Sequence, residues 1–100
     1  MKTIWSTTAE LTFIEILSDI EERFSNKIAQ KFYDEVFNTI TLIEENPYMF
    51  KYYEKHSVRK ATIHPNSSMI YEVQKDDNII RLLTFYDNRM SDEKKKKLTQ

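Results

Sequence analysis

"VRKATIHPNSSMIYEVQKDDNIIRLLTFY", residues 58 to 86, is where the hydrophobic period of this chain drops to two. Alternation at that period marks a half-buried strand, because successive side chains leave a strand on opposite faces. The stretch divides into three strands, Val58–Ile63, Ser68–Gln74 and Ile79–Tyr86. His64-Pro65-Asn66-Ser67 joins the first pair and Lys75-Asp76-Asp77-Asn78 the second; both are hairpin-length and rich in turn formers. In the last strand both parities are mainly apolar, which predicts an interior strand covered on both faces.

Upstream the period is helical. Leu11, Ile14, Leu17, Ile20 and Phe24 recur at steps of three and four, with Phe13 and Ile16 widening the stripe. Thr12, Glu15, Asp19 and Glu22 face the other way, and Thr7 with Glu10 forms a capping box. This predicts a helix from about residue 8 to 23. Ser25-Asn26 breaks it and caps a second helix, whose stripe is Ala29, Phe32, Tyr33, Val36, Ile40 and Ile43, with Phe37 beside it. Asn46-Pro47 closes that helix, since proline disfavours helical geometry in the residue before it. So short a connection makes the two helices an antiparallel hairpin.

Residues 48–57 read as a loop, Thr3-Ile4-Trp5 as a short N-terminal strand, and Ser91-Asp92-Glu93 as the start of a short C-terminal helix. The expected fold is α+β in the order β-α-α-β-β-β-α. The helical hairpin packs on one face of a small, mostly antiparallel sheet, leaving the other face free.

Composition bounds the chemistry. One hundred residues, 40% apolar and 31% charged, suit a single globular domain over residues 1–100. There is no signal-like or membrane-spanning run, so the expectation is a cytoplasmic protein without a membrane partner. The absence of cysteine removes disulfides and thiolate nucleophiles, and the absence of glycine removes P-loop and dinucleotide-binding cradles. Without glycine, positive φ angles fall to Asn or Asp: Asn26, Asn46, Asn66, Asp77-Asn78 and Asn88 are placed for it. Two isolated histidines without clustered acids suit no ligand set, so neither metal nor cofactor is expected. Residues 1–50 hold four Lys/Arg against nine Asp/Glu, whereas residues 51–100 hold eleven against seven. The basic excess lies mostly in Lys94–Lys97.

Taken in order, several pieces resemble the RelE/ParE superfamily of toxins from type II toxin–antitoxin systems. They are Ile4-Trp5-Ser6 with Ala9, then Ala29…Phe32 and Val36…Ile40…Leu42-Ile43…Asn46-Pro47, then Val58-Arg59, Ile70-Tyr71-Glu72-Val73, Ile79-Ile80-Arg81-Leu82-Leu83 and Asp87-Asn88-Arg89. The resemblance implies a bacterial, growth-inhibiting toxin of the plasmid-stabilisation kind, neutralised by a cognate antitoxin protein and reaching operator DNA only through the antitoxin complex. It also implies one of two activities. RelE-like members cut mRNA on the ribosome with basic and aromatic side chains on the open sheet face. ParE-like members are described as inhibitors of DNA gyrase. An inactive relic that only binds its antitoxin is a further alternative.

Metal-free RNA cleavage needs a group to activate the 2′-hydroxyl, cations for the developing charge and an acid for the leaving oxygen. Arg59, Tyr86 and Arg89 are the candidates. The arginine that the nucleases carry before the middle strand's apolar core is missing, since Ser67-Ser68 precede Met69-Ile70-Tyr71. That loss tilts the reading toward a ParE-like protein contact and leaves enzymatic activity undecided. Arg81, mid-strand among apolar residues, reads as a cross-strand or buried ion-pair member, and His56 and His64 read as surface residues. Lys51, Lys55 and Lys60, interleaved with aromatics, are candidate phosphate contacts. Trp5, Phe37 and Tyr48 are candidate anchors for the antitoxin. Tyr86-Asp87-Asn88-Arg89 reads first as the structural end of the last strand.

Overall fold

The computed structural model describes residues 1–63 and 66–88. A first strand, β1 (Lys2–Trp5), leads into α1 (Thr7–Arg23) and α2 (Asn26–Glu45). A short β2 (Lys51–Tyr53), β3 (Val58–Ile63), β4 (Ser67–Gln74) and β5 (Ile79–Asp87) complete the described chain. The expected C-terminal helix at residues 91–97 lies outside the described residues, as do His64 and Arg89. The sheet order is β1-β5-β4-β3-β2; β1 runs parallel to β5 and the other pairs are antiparallel. The α+β architecture is the expected one. The loop reading of residues 48–57 is corrected by β2, whose Lys51, Tyr52 and Tyr53 pair with Lys60, Arg59 and Val58. Three residues at a sheet edge carry too little alternation to be seen in sequence.

Both helices lie on one face and build the core with it. Phe13, Ile16 and Ile20 of α1, and Phe32, Val36, Ile40 and Ile43 of α2, are buried. They meet Ala61, Ile63, Met69, Tyr71, Ile80, Leu82 and Phe85 from the sheet. Each of the Val, Leu, Ile, Met and Phe side chains among them contributes about 1.5–3 kcal/mol by leaving water. The α2 stripe is the expected one apart from Tyr33, which stays exposed. The α1 stripe is rotated from the expected one: Leu11, Ile14 and Phe24 are exposed and Thr12 is buried.

Thr12 is inside because its hydroxyl is fully used. It donates to the Thr8 carbonyl at 2.7 Å and accepts the Phe85 backbone N–H at 2.9 Å. The start of α1 extends this link between helix and sheet. Its N-cap is Ser6, not Thr7: the Ser6 hydroxyl accepts the Ala9 N–H at 3.0 Å and donates to the Leu83 carbonyl at 2.8 Å. The Ser6 N–H donates to the Leu82 carbonyl. Where β1 runs out at Trp5 opposite Leu82, hydroxyls and amides of α1 therefore take over as hydrogen-bond partners along that side of β5. The second helix starts as expected, with the Ser25 hydroxyl accepting the Ile28 N–H.

Two hairpin turns have the same ending. Glu54–His56 and Lys75–Asp77 each form one 3-10 turn closed by a left-handed residue, Ser57 (φ 54°) and Asn78 (φ 56°). Asn78 is among the residues expected to take positive φ; Ser57 is not, and no other described residue does.

β5 is interior in its pairing, between β1 and β4, and away from the helices it is covered only toward its C-terminal end, where Thr84 and Tyr86 are buried. Ile79 and Leu83 are half-buried on the open face and Arg81 is exposed there. Its two-sided apolarity has another cause. Tyr71 pairs with Leu82 and Ile70 with Thr84, so Leu83 is an unpaired bulge residue. An extra residue shifts the alternation by one. Ile80 and Leu82 point to the helices before the bulge, and Phe85 does so after it.

Candidate functional site

The shifted parity decides what stands on the open face. With Phe85 turned to the core, Tyr86 turns to the opposite side, beside Thr84 and Leu83. Alternation along β3 and β4 brings Val58, Lys60, Ile70 and Glu72 to the same side, and β2 adds Tyr53. These side chains line a cavity of about 510 Å³, with His56 from the 3-10 turn and Thr8 from the start of α1 at its edges. Its floor is apolar, two walls are tyrosine rings, and it holds one ammonium and one carboxylate.

Lys60 is the centre of this group. Its Nζ lies 5.3 Å from the Tyr86 ring centroid. The hydrogen-bonded Tyr86 side chain holds the Lys60 ammonium above the ordinary lysine value, against the opposing cost of partial burial; Tyr53 helps it. A lysine shifted in that direction is a permanent cation at neutral pH. It can bind or stabilise an anion, but it cannot take a proton. Glu72 accepts a hydrogen bond from the Gln74 side-chain amide at 2.7 Å.

The other sequence-derived candidates divide between the two faces. Arg59 precedes Lys60 and therefore faces the helix side, where it holds the loop before β2. Its guanidinium donates to the carbonyls of Phe50 (2.8 Å) and Tyr48 (3.3 Å) and lies between the Tyr48 and Tyr52 rings, 5.1 and 5.0 Å from their centroids. The buried Tyr71 hydroxyl donates to Pro47 of the same loop at 2.9 Å. The structure thus places Arg59 apart from Tyr86, and Arg89 lies outside the described residues. Lys51 shares the open face, its Nζ 5.0 Å from the Tyr53 ring centroid. Lys55 is exposed on the turn. Arg81 is on the open face opposite Glu72, exposed rather than buried, with no ion pair among the described residues. His56, read as a plain surface residue, is exposed but lines the cavity.

Trp5 and Phe37 come together: Trp5 packs on Phe13, Phe37 and Phe85 with centroids 5.4, 5.8 and 5.4 Å away, and Phe37 meets the exposed Tyr33 in a tilted contact at 4.7 Å. Tyr48, half exposed, is held separately by Arg59. At the strand end, Asp87 is buried opposite Ser67. Asn88 donates its N–H to the Asn66 carbonyl and accepts the Ser68 hydroxyl through its side chain at 3.1 Å. Ser68, near the start of β4, is fully buried. Glu72 and Tyr53 were not legible as site residues. Glu72 could have been found by its shared parity with Ile70, had the open face been known. Among the described residues no group of three or more His, Cys, Asp or Glu could hold a metal ion, and no helix is long and apolar enough to cross a membrane.

Residues 3–91 match the family model described as the ParE toxin of the type II toxin–antitoxin system parDE. The chain belongs to the ParE toxin family. No curated protein matches it in sequence. In structure it is similar to a chain of the chromosomal ParDE system of P. aeruginosa, with a TM-score of 0.72 and 16% identity over 87% of this chain and 95% of that one. It is also similar to the isolated E. coli RelE toxin, with a TM-score of 0.63 and 8% identity over 97% and 94%. A chain of the RelBE2 complex of Mycobacterium tuberculosis gives 0.58 and 12% over 86% and 95%. At these identities the structural likeness establishes the shared fold, and the family match makes the chain a type II toxin.

Proposed function

We propose that this chain inhibits growth by binding a protein target, in the ParE manner, with DNA gyrase the leading candidate, and that a cognate antitoxin encoded beside it neutralises it. The observation that carries the reading is that Lys60 is the one lysine or arginine lining the cavity of the open face. Lys60 is a cation beside Tyr86, and Arg59 is committed to loop carbonyls on the other face. A pathway through a phosphorane-like charge asks for more cations around the reacting phosphate than the single lysine of this cavity. A protein contact does not.

The antitoxin reading rests on the partly exposed aromatic group of Trp5, Phe37 and Tyr33, with Tyr48 as a separate anchor. A helical hairpin that leaves such rings uncovered offers anchors to an apolar partner segment. The Lys60–Tyr86 pair favours the second reading, a metal-independent ribonuclease acting on ribosome-bound mRNA. One experiment separates the two. Cells induced to make the protein are expected to stop growing with intact transcripts, and the purified protein to inhibit supercoiling by gyrase. Transcripts cut at codon boundaries would refute the protein-target reading.

A further inference from the structure

The sheet face opposite the helices carries Lys2, Lys51, Lys60 and Arg81 by strand parity, against Glu72. The helical layer on the other side is acidic, since residues 7–45 hold nine Asp/Glu against three Lys/Arg. A chain near neutrality overall thus presents one basic face. Such a face draws an acidic partner toward it and orients the encounter.

At the centre of that face is a cavity whose size and lining limit what enters. About 510 Å³ takes one or two side chains, not a helix. Val58, Ile70 and Leu83 offer an apolar floor, and the Tyr53 and Tyr86 rings offer walls for an aromatic or branched side chain. Within it, Lys60 is the one cation among the lining residues, with Tyr86 beside it. A single lysine is a point charge that satisfies one carboxylate.

We infer that this cavity is a carboxylate-recognition site for the target protein, taking a segment in which an acidic residue adjoins an aromatic or branched apolar one. The inference rests on the protein-target reading and names the chemistry of the segment recognised. The carboxylate pairs with Lys60, the apolar neighbour fills the floor between the tyrosines, and Glu72 accepts a backbone N–H of the incoming segment. Glu72 also argues for peptide over nucleic acid. A phosphodiester chain brings a charge with every nucleotide and would meet a carboxylate beside the one cation of the cavity, whereas a peptide brings donors of its own.

The test is an amide NMR titration of the full chain with three probes. The first is the acetylated and amidated peptide Ala-Phe-Asp-Leu-Ala, the second its Asn counterpart, and the third a uridine pentanucleotide. The Asp peptide is expected to shift the amides of Lys60, Ile70, Glu72 and Tyr86 saturably. The Asn peptide, or the variant Lys60→Met with the Asp peptide, is expected to bind at least about tenfold more weakly. Lys60→Met is also expected to abolish growth inhibition while remaining folded by circular dichroism. Equal shifts with both peptides, or saturable shifts only with the pentanucleotide, would overturn the inference. An absence of peptide binding while transcripts stay intact overturns the cavity assignment alone; cut transcripts overturn the protein-target reading whatever the titration gives.

Discussion

Replacing Thr12 by valine changes the side-chain volume little and removes one hydroxyl, which makes it a direct test of how α1 is joined to β5. In the native chain that hydroxyl accepts the Phe85 N–H at 2.9 Å, at a strand position with no exposure to solvent. Thr12→Val leaves the N–H buried without a partner. The penalty for a stranded backbone donor is about 1–3 kcal/mol. A 100-residue domain loses about 4–8 °C of melting temperature per kcal/mol. The valine variant is therefore expected to melt on the order of 10 °C lower. Exchange of the Phe85 amide should accelerate beyond the change in global stability. Thr12→Ser keeps the hydroxyl and loses a methyl group, and should cost about 1 kcal/mol without selective exposure of Phe85. Because the bond holds the strand just after its bulge, Thr12→Val should also disturb the NMR environment of Tyr86 and Lys60 more than that of Tyr71. A valine variant as stable as the native chain, with Phe85 still protected, would refute the account of α1 as a hydrogen-bonding partner of β5.

Alkaline stability follows from two groups that hold their protons longer when folded. Burial pushes Tyr71 above its ordinary value, against the opposing effect of Arg59, and Tyr86 raises Lys60. For both, the folded chain binds more protons than the unfolded one as pH rises past about 10, so stability falls across that window. Urea midpoints should be flat between about pH 7 and 9 and decline above it, and Tyr71→Phe should lessen the decline while lowering neutral stability by about 1 kcal/mol. A decline unchanged by that substitution would remove Tyr71 as its source. At the turn before β3, Ser57 holds a left-handed conformation at φ 54°, which costs a residue with a Cβ about 1 kcal/mol or more. Ser57→Gly should raise stability by a few tenths to about 1 kcal/mol after its added unfolded-state entropy; a lower urea midpoint would contradict the strain argument.

Much of the fold was legible because it is written in local periods. The α2 stripe from Ala29 to Ile43 and the Ser25 cap depend on spacing within one helix, and the β3–β4 and β4–β5 hairpins on short turns. The family resemblance lay in the same ordered pieces. Misreadings fell where a residue's environment comes from a distant segment. Thr12 looks like a solvent-facing residue until the Phe85 N–H, 73 positions away, is brought to it. In the same way, the bonds of Arg59, a cleavage candidate in the sequence, to the carbonyls of Tyr48 and Phe50 are visible only once that loop folds over its face. β2 becomes a strand only because β3 is there to pair with it.

By itself, then, the sequence determined the order of the two helices and of β1, β3, β4 and β5, the apolar side of α2 and the exclusion of glycine-based and cysteine-based chemistry. Tertiary structure alone decided which face Tyr86 occupies. Strict alternation from Leu82 would send Tyr86 into the core and Phe85 to the open face. The unpaired Leu83, whose own carbonyl accepts the Ser6 hydroxyl while the Phe85 N–H donates to the Thr12 hydroxyl, reverses both. A bulge is a mismatch in count between two paired strands, so it exists only once they are paired, and the Lys60–Tyr86 group exists only because of it.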